Sequence, residues 1–140
     1  MNTNLHFSAQ TCLHATPDYL FEEINKEFSF TLDACAIAEN AKVQRFFSPD
    51  DDGLLQPWSG TVWVNPPYGN QIEKWVAKAY HESFNGVTTV LLLPVRTDVK
   101  WFHNWILGKA EIRFIKGRLK FGGIKHNAPF PSMLVIYRPK

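Results

Sequence analysis

Asn65-Pro66-Pro67-Tyr68 places an amide, a pair of prolines and a phenol ring directly behind Thr61-Val62-Trp63-Val64. The β-branched and aromatic run predicts a buried strand, and consecutive prolines must end it at once. Neither Pro66 nor Pro67 has an N–H and both have φ fixed, so the chain leaves the strand as a stiff arm displaying carbonyl oxygens. An arm of this kind, with an amide on one side and a ring on the other, can hold a flat ring that bears an amino group. The bland alternative is that the four residues only terminate a strand.

Further candidates lie upstream. Phe28-Ser29-Phe30-Thr31-Leu32 alternates and predicts the first strand, which runs into Asp33-Ala34-Cys35-Ala36, small residues suited to a tight strand-end loop. Asp33 is either a ligand contact there or an ordinary turn aspartate. Thr16-Pro17-Asp18 predicts a helix over 17–26 with Thr16 as N-cap, proline first, and Leu20, Phe21 and Ile24 on one face. Between Ile37 and Ser59 the periodicity is poor, and Ser48-Pro49-Asp50-Asp51-Asp52-Gly53 is dense in turn formers and negative charge. A stretch this long without regular structure is uncommon in a small domain unless it binds something. Asp51 and Asp52 face either a ligand or solvent.

Downstream of the arm, Ile72, Trp75, Val76, Ala79 and Tyr80 fall at helical spacing and predict a helix over 71–83, closed by Asn85-Gly86. Val87 to Leu93 is continuously apolar, the signature of a central strand covered on both faces, and Pro94 ends it. A helix over 98–107, a strand over 111–115 and a last strand over 132–137 follow. Trp63, Trp75, Trp101 and Trp105 fall on apolar faces and belong to the core. Arg96 and Asp98 either flank the crevice or pair with each other at a helix start. Lys116, Arg118, Lys120, Lys125 and His126, with Phe121 among them and glycines at 117, 122 and 123, form a basic loop that is either a contact for a polyanion or a solvated hairpin.

This order predicts an α/β fold: an open, mostly parallel sheet with helices on both faces, forming one domain over 16–140 behind a loosely held arm over 1–15. Ligands of such sheets sit beyond the carboxyl ends of the strands, where Asp33, Asn65 and Pro94 all lie. With 140 residues and 45% apolar content the chain can build a real core but has no room for a second domain of any size. A net charge of +2 permits a polyanionic partner without requiring one. Cys12 and Cys35 have no metal-ligand spacing and are too few for a disulfide framework, which points to a reduced, cytosolic protein without metal. The longest apolar stretch, Val90 to Leu93, is far too short to cross a bilayer, and Met1 to Gln10 lacks the blocks of a signal peptide.

Asn-Pro-Pro-Tyr behind a strand resembles the catalytic motif of S-adenosylmethionine-dependent amino methyltransferases. Thr16-Pro17, Asp33-Ala34-Cys35-Ala36 and Asp51-Asp52-Gly53-Leu54 resemble the cofactor-binding elements that accompany it, although glycine is expected where this chain has Ala36 or Ile37. Together with Arg113 to Phe121 and Ala128 to Met133, the pattern is similar to the small phage-type Dam DNA N-6-adenine methyltransferases. The resemblance implies a compact Rossmann-like methyltransferase fold with no separate target-recognition domain, and S-adenosylmethionine as cofactor. It implies transfer of a methyl group to N6 of an adenine flipped out of duplex DNA, with GATC the target that the family's name suggests. By the same resemblance the side-chain oxygen of Asn65 and the main-chain oxygen of Pro66 accept the amino hydrogens, Pro67 stiffens the arm, and Tyr68 stacks on the base, worth about 1–3 kcal/mol. Thr16, Pro17, Asp33, Ala34, Cys35, Asp51 and Asp52 would hold the cofactor, and the basic loop the DNA. Methylation of another planar amino group (cytosine N4, an RNA base, a glutamine side chain) and an inactive DNA-binding module stay open beside this.

Overall fold

The apolar run behind Gly86 becomes the centre of the molecule. In the computed structural model, which describes residues 15–121, 128 and 130–140, the chain forms α1 (Asp18–Phe28), β1 (Leu32–Asp33), β2 (Thr61–Val64), α2 (Ile72–Ser83), β3 (Thr88–Pro94), α3 (Lys100–Trp105), β4 (Glu111–Phe114) and β5 (Ser132–Tyr137). The strands make one five-stranded sheet in the order β1-β2-β3-β5-β4. β1, β2 and β3 pair in parallel, whereas β5 is antiparallel to both β3 and β4. The sheet is therefore mixed: β5 alone runs backward, and β4 points the same way as the first three strands.

Alternation along the strands splits the core into two layers. Val62, Val64, Leu91, Leu93, Met133 and Val135 pack on one face with Ile72, Trp75, Val76 and Ala79 of α2 and Phe102 of α3. Trp63, Val90, Leu92, Leu134 and Ile136 pack on the other with Phe21 and Ile24 of α1 and with Leu119, Phe121 and Ala128. Trp63 anchors α1, meeting the Phe21 ring at 5.4 Å and the Phe30 ring at 5.5 Å, both edge-on. Trp75 is buried as expected, while Trp101 and Trp105 lie at the half-buried margin of the first layer.

The first strand and the first helix differ from expectation. Phe28 belongs to α1, and the chain reverses at Ser29, whose φ of 55° is left-handed. The Asn25 side chain accepts the Phe30 N–H at 2.8 Å and closes that turn, so β1 starts only at Leu32. Glu27 also holds the end of the helix, through a bidentate pair with Arg113 at 2.7 and 2.9 Å. At the other end Pro17, not Thr16, is the N-cap residue: its carbonyl accepts from the Leu20 and Phe21 N–H groups, and no side chain caps the helix. α3 is shorter than its pattern, because Val99 is extended and Asp98 pairs with Arg96 at 3.4 Å. That is the helix-start ion pair, on exposed side chains.

Burial separates two leucines of the same volume. Leu91 is fully buried on β3 and Leu107 is 54% exposed behind α3. Leu91→Ala is expected to cost about 2–5 kcal/mol, and Leu107→Ala less than about 0.5 kcal/mol. Denaturant midpoints of the two variants check this.

Candidate active site

β2 stops at Val64 because the next ladder position is proline. The Thr88 N–H donates to the Gly60 carbonyl at 3.1 Å, and Val64 is in register with Leu91. Continued by two-residue steps, that ladder brings the Leu92 carbonyl opposite residue 66, which has no N–H to offer. The Tyr68 hydroxyl fills the gap, donating to the Leu92 oxygen at 3.2 Å. Burial pushes the phenol's pKa up, so it stays a neutral donor. The arm thus folds back over the end of β3 with its ring orientation set. Phe121 meets the Tyr68 ring at 6.3 Å and Phe130 at 5.6 Å, both steeply inclined to it.

A polar crevice opens at the carboxyl ends of β1 and β2, lined by Thr16, Asp33, Cys35, Asn40, Lys42 and Asn65 together with Ala15 and Trp63. Four of the expected site residues, Thr16, Asp33, Cys35 and Asn65, therefore meet in one place. The Asn65 amide donates through Nδ2 to Thr16 Oγ1 at 3.1 Å. Asp33 is buried, and its oxygens accept from the Cys35 N–H at 3.3 Å and the Lys42 N–H at 3.0 Å. Desolvation outweighs these bonds and the nearby Lys42 charge, raising the Asp33 pKa from 3.8 to about 7. Lys42 Nζ donates to Asp18 Oδ1 at 2.6 Å.

Ala34 lies behind the crevice and carries the loop's tight packing. Glycine is absent at 36 and 37, yet a close approach exists: a Cβ on Gly53 would lie 2.2 Å from the Ala34 carbonyl and 3.1 Å from the Trp75 ring. The glycine of this contact is supplied by the acidic loop. Trp58 fixes that loop by donating Nε1–H to the Gly53 carbonyl at 2.9 Å, while the Trp58 N–H donates to buried Glu82 at 2.7 Å. Asp51 closes the turn on Ser48, accepting its N–H at 2.9 Å, and Asp52 adopts φ 55° and accepts the Leu54 N–H at 3.2 Å. Neither aspartate lines the crevice beside Asn65, and Asp52 faces a separate groove along α2 with Lys74, Lys78 and His81.

Beyond β4 the basic segment alternates. Lys116, Arg118 and Lys120 are exposed, whereas Leu119 and Phe121 are buried. Phe121 thus serves the core under Tyr68, and the cations face outward beside the arm. Lys125 and His126 lie outside the described residues. Asn40 and Lys42 were not foreseen, because they sit in an aperiodic stretch; the one local signal was Asn40 itself, whose side chain accepts the Ile37 N–H at 3.0 Å.

Residues 4–140 match the family model described as DNA N-6-adenine-methyltransferase (Dam). The chain belongs to this family. It is 35% identical over 138 residues to the DNA N-6-adenine-methyltransferase of Haemophilus phage HP1, covering 91% of this chain and 79% of that one. It is 32% identical over 92 residues to the DNA N-6-adenine-methyltransferase of Escherichia phage T1, covering 64% of this chain and 38% of that one. In this family member, no helix among the described residues is long and apolar enough to cross a membrane, and no His, Cys, Asp or Glu cluster there is arranged to hold a metal ion.

In this DNA N-6-adenine methyltransferase, Gly53→Ala forces a Cβ onto a backbone oxygen, so the loop must move. A loss of about 1–3 kcal/mol is expected, read from urea denaturation. Asp33 makes stability depend on pH. Its folded pKa of about 7 exceeds the unfolded 3.8, so between these values the native state holds a proton that the unfolded chain releases. That contribution is full below 3.8 and is lost as pH rises through about 7. The melting temperature of Asp33→Asn relative to wild type is therefore expected to climb across this window, and a constant difference would refute the shift.

Proposed function

We propose that this adenine-specific DNA methyltransferase uses S-adenosylmethionine, in a Rossmann-like methyltransferase fold, to methylate N6 of an adenine flipped out of duplex DNA. The observation that carries the reading is the placement of Asn65, at the end of β2, in the same crevice as the buried Asp33 carboxyl. The cofactor would supply a methyl group activated on a cationic sulfonium. Its chemistry fits the crevice, because a desolvated carboxyl with a raised pKa is drawn back to its charged form by a cationic ligand.

Asp33 and Cys35 would hold the cofactor from the crevice wall that Thr16 shares, with Ala34 and Pro17 shaping the backbone around it. The roles of Asp51 and Asp52 rest on the family resemblance. The exocyclic nitrogen of adenine is a poor nucleophile because its lone pair is delocalised into the ring. Asn65 Oδ1 and the Pro66 carbonyl would accept the two amino hydrogens, drawing that pair out of conjugation. Pro67 keeps the acceptors rigid, so their orientation requires no reorganisation during reaction. The Tyr68 ring would form the wall on which the base stacks, its plane set by the bond to Leu92 and by the rings of Phe121 and Phe130. Lys116, Arg118, Lys120, Lys125 and His126 would neutralise DNA phosphates, making affinity fall as salt rises. Work in the cytoplasm of a bacterial host agrees with the phage relatives.

Asn65→Ala removes an acceptor needed in the transition state. Cofactor affinity by calorimetry is expected to stay within about threefold, with methyl transfer to DNA down by at least about 100-fold. Labelled cofactor offered with separate DNA, RNA and protein acceptors tests the substrate. Label entering only RNA or protein would overturn the reading.

A further inference from the structure

An amide side chain can serve as an acceptor only if its oxygen is the end turned to the substrate. In this chain the other end is committed: Asn65 Nδ2 donates to Thr16 Oγ1 at 3.1 Å, and Thr16 is only 3% exposed. The Thr16 hydroxyl does not cap α1, since Pro17 occupies the N-cap position and no side-chain cap bond is made. Both partners stand on rigid supports. Thr16 immediately precedes the first turn of α1, whose Phe21 packs edge-on against Trp63 at 5.4 Å, and Asn65 leaves β2 two residues after Trp63. A β-branched residue suits the task, because its χ1 is restricted.

We infer that Thr16 is a positioning residue for methyl transfer, holding the Asn65 amide by its nitrogen so that the oxygen points to the amino group of the base. The inference rests on the role proposed above for Asn65. It separates Thr16 from the cofactor-holding residues: the hydroxyl acts through Asn65, so its loss slows turnover and spares cofactor binding. It also makes the start of α1 part of the catalytic geometry.

Thr16→Val keeps the shape and removes the hydroxyl, and Thr16→Ser keeps the hydroxyl. Thr16→Val is expected to lower kcat by about 10–100-fold, since small errors of placement are costly. The Kd for S-adenosylmethionine should stay within about threefold, and Thr16→Ser should retain most of kcat. In the Asn65→Ala background Thr16→Val should cause no further loss, because the two act as a unit. Nitrogen-edited NMR of the full chain reads the link without turnover: the Asn65 side-chain amide protons should shift in Thr16→Val and hold in Thr16→Ser. The inference is overturned if Thr16→Val weakens cofactor binding as much as it lowers kcat, if its effect multiplies with that of Asn65→Ala, or if the amide protons do not respond. A wild-type chain that methylates no DNA, with amide protons that do respond, would instead overturn the role given to Asn65 while supporting the link.

Discussion

A proline cannot donate to a sheet ladder, and much of this site follows from that one missing bond. Pro66 leaves the Leu92 carbonyl without its partner from β2, and an unsatisfied carbonyl at the edge of a core is costly. Tyr68 satisfies it, which obliges the arm to bend back over β3 and sets the plane of the ring. Once the ring stands there, Phe121 and Phe130 close on it, and the alternation leading up to Phe121 leaves Arg118 and Lys120 outward, with Lys116 exposed before them. A defect in hydrogen bonding thereby positions both the aromatic wall and the cations near it.

The crevice depends on a second constraint, the absence of a side chain at Gly53. In this chain the acidic loop comes close enough to the Ala34 carbonyl that no Cβ fits between them. Trp58 and Glu82 fasten the loop to α2, so the strand-end turn carrying Asp33 is braced from outside. That bracing helps explain why residues 36 and 37 need not be glycine. Asp33 itself is buried, and desolvation is the largest influence on its pKa.

Legibility in the sequence followed the range of the interactions. β2, α2 and β5 were readable nearly residue by residue, because burial on a sheet face or helix stripe writes a periodic pattern. The first strand was not. Phe28 and Phe30 alternate as strand residues do, but both pack around the turn at Ser29, where a side-chain bond from Asn25 overrides the pattern. The arm was legible because proline and strand chemistry are local. Thr16 was legible as a polar residue at a helix start, whereas its use was not, since its partner lies 49 residues away. The same holds for Gly53, which looked like a turn glycine and proves to be a packing residue.

These constraints meet at Asn65. Its backbone is fixed by the strand before it and the prolines after it, so the side chain is the freedom left to settle. A side-chain amide offers two orientations of similar shape and opposite hydrogen-bonding character, and packing alone distinguishes them poorly. A hydroxyl can donate or accept, and where it accepts, as Thr16 Oγ1 does from Asn65 Nδ2, it favours the orientation with the amide oxygen turned away from it. Thr16 comes from ahead of α1, which is docked on Trp63, two residues before Asn65 in β2. The orientation of the amide is therefore coupled to the docking of α1 on the sheet, and a change that loosens Phe21 against Trp63 would reach the Asn65 amide without touching Thr16 or Asn65 itself.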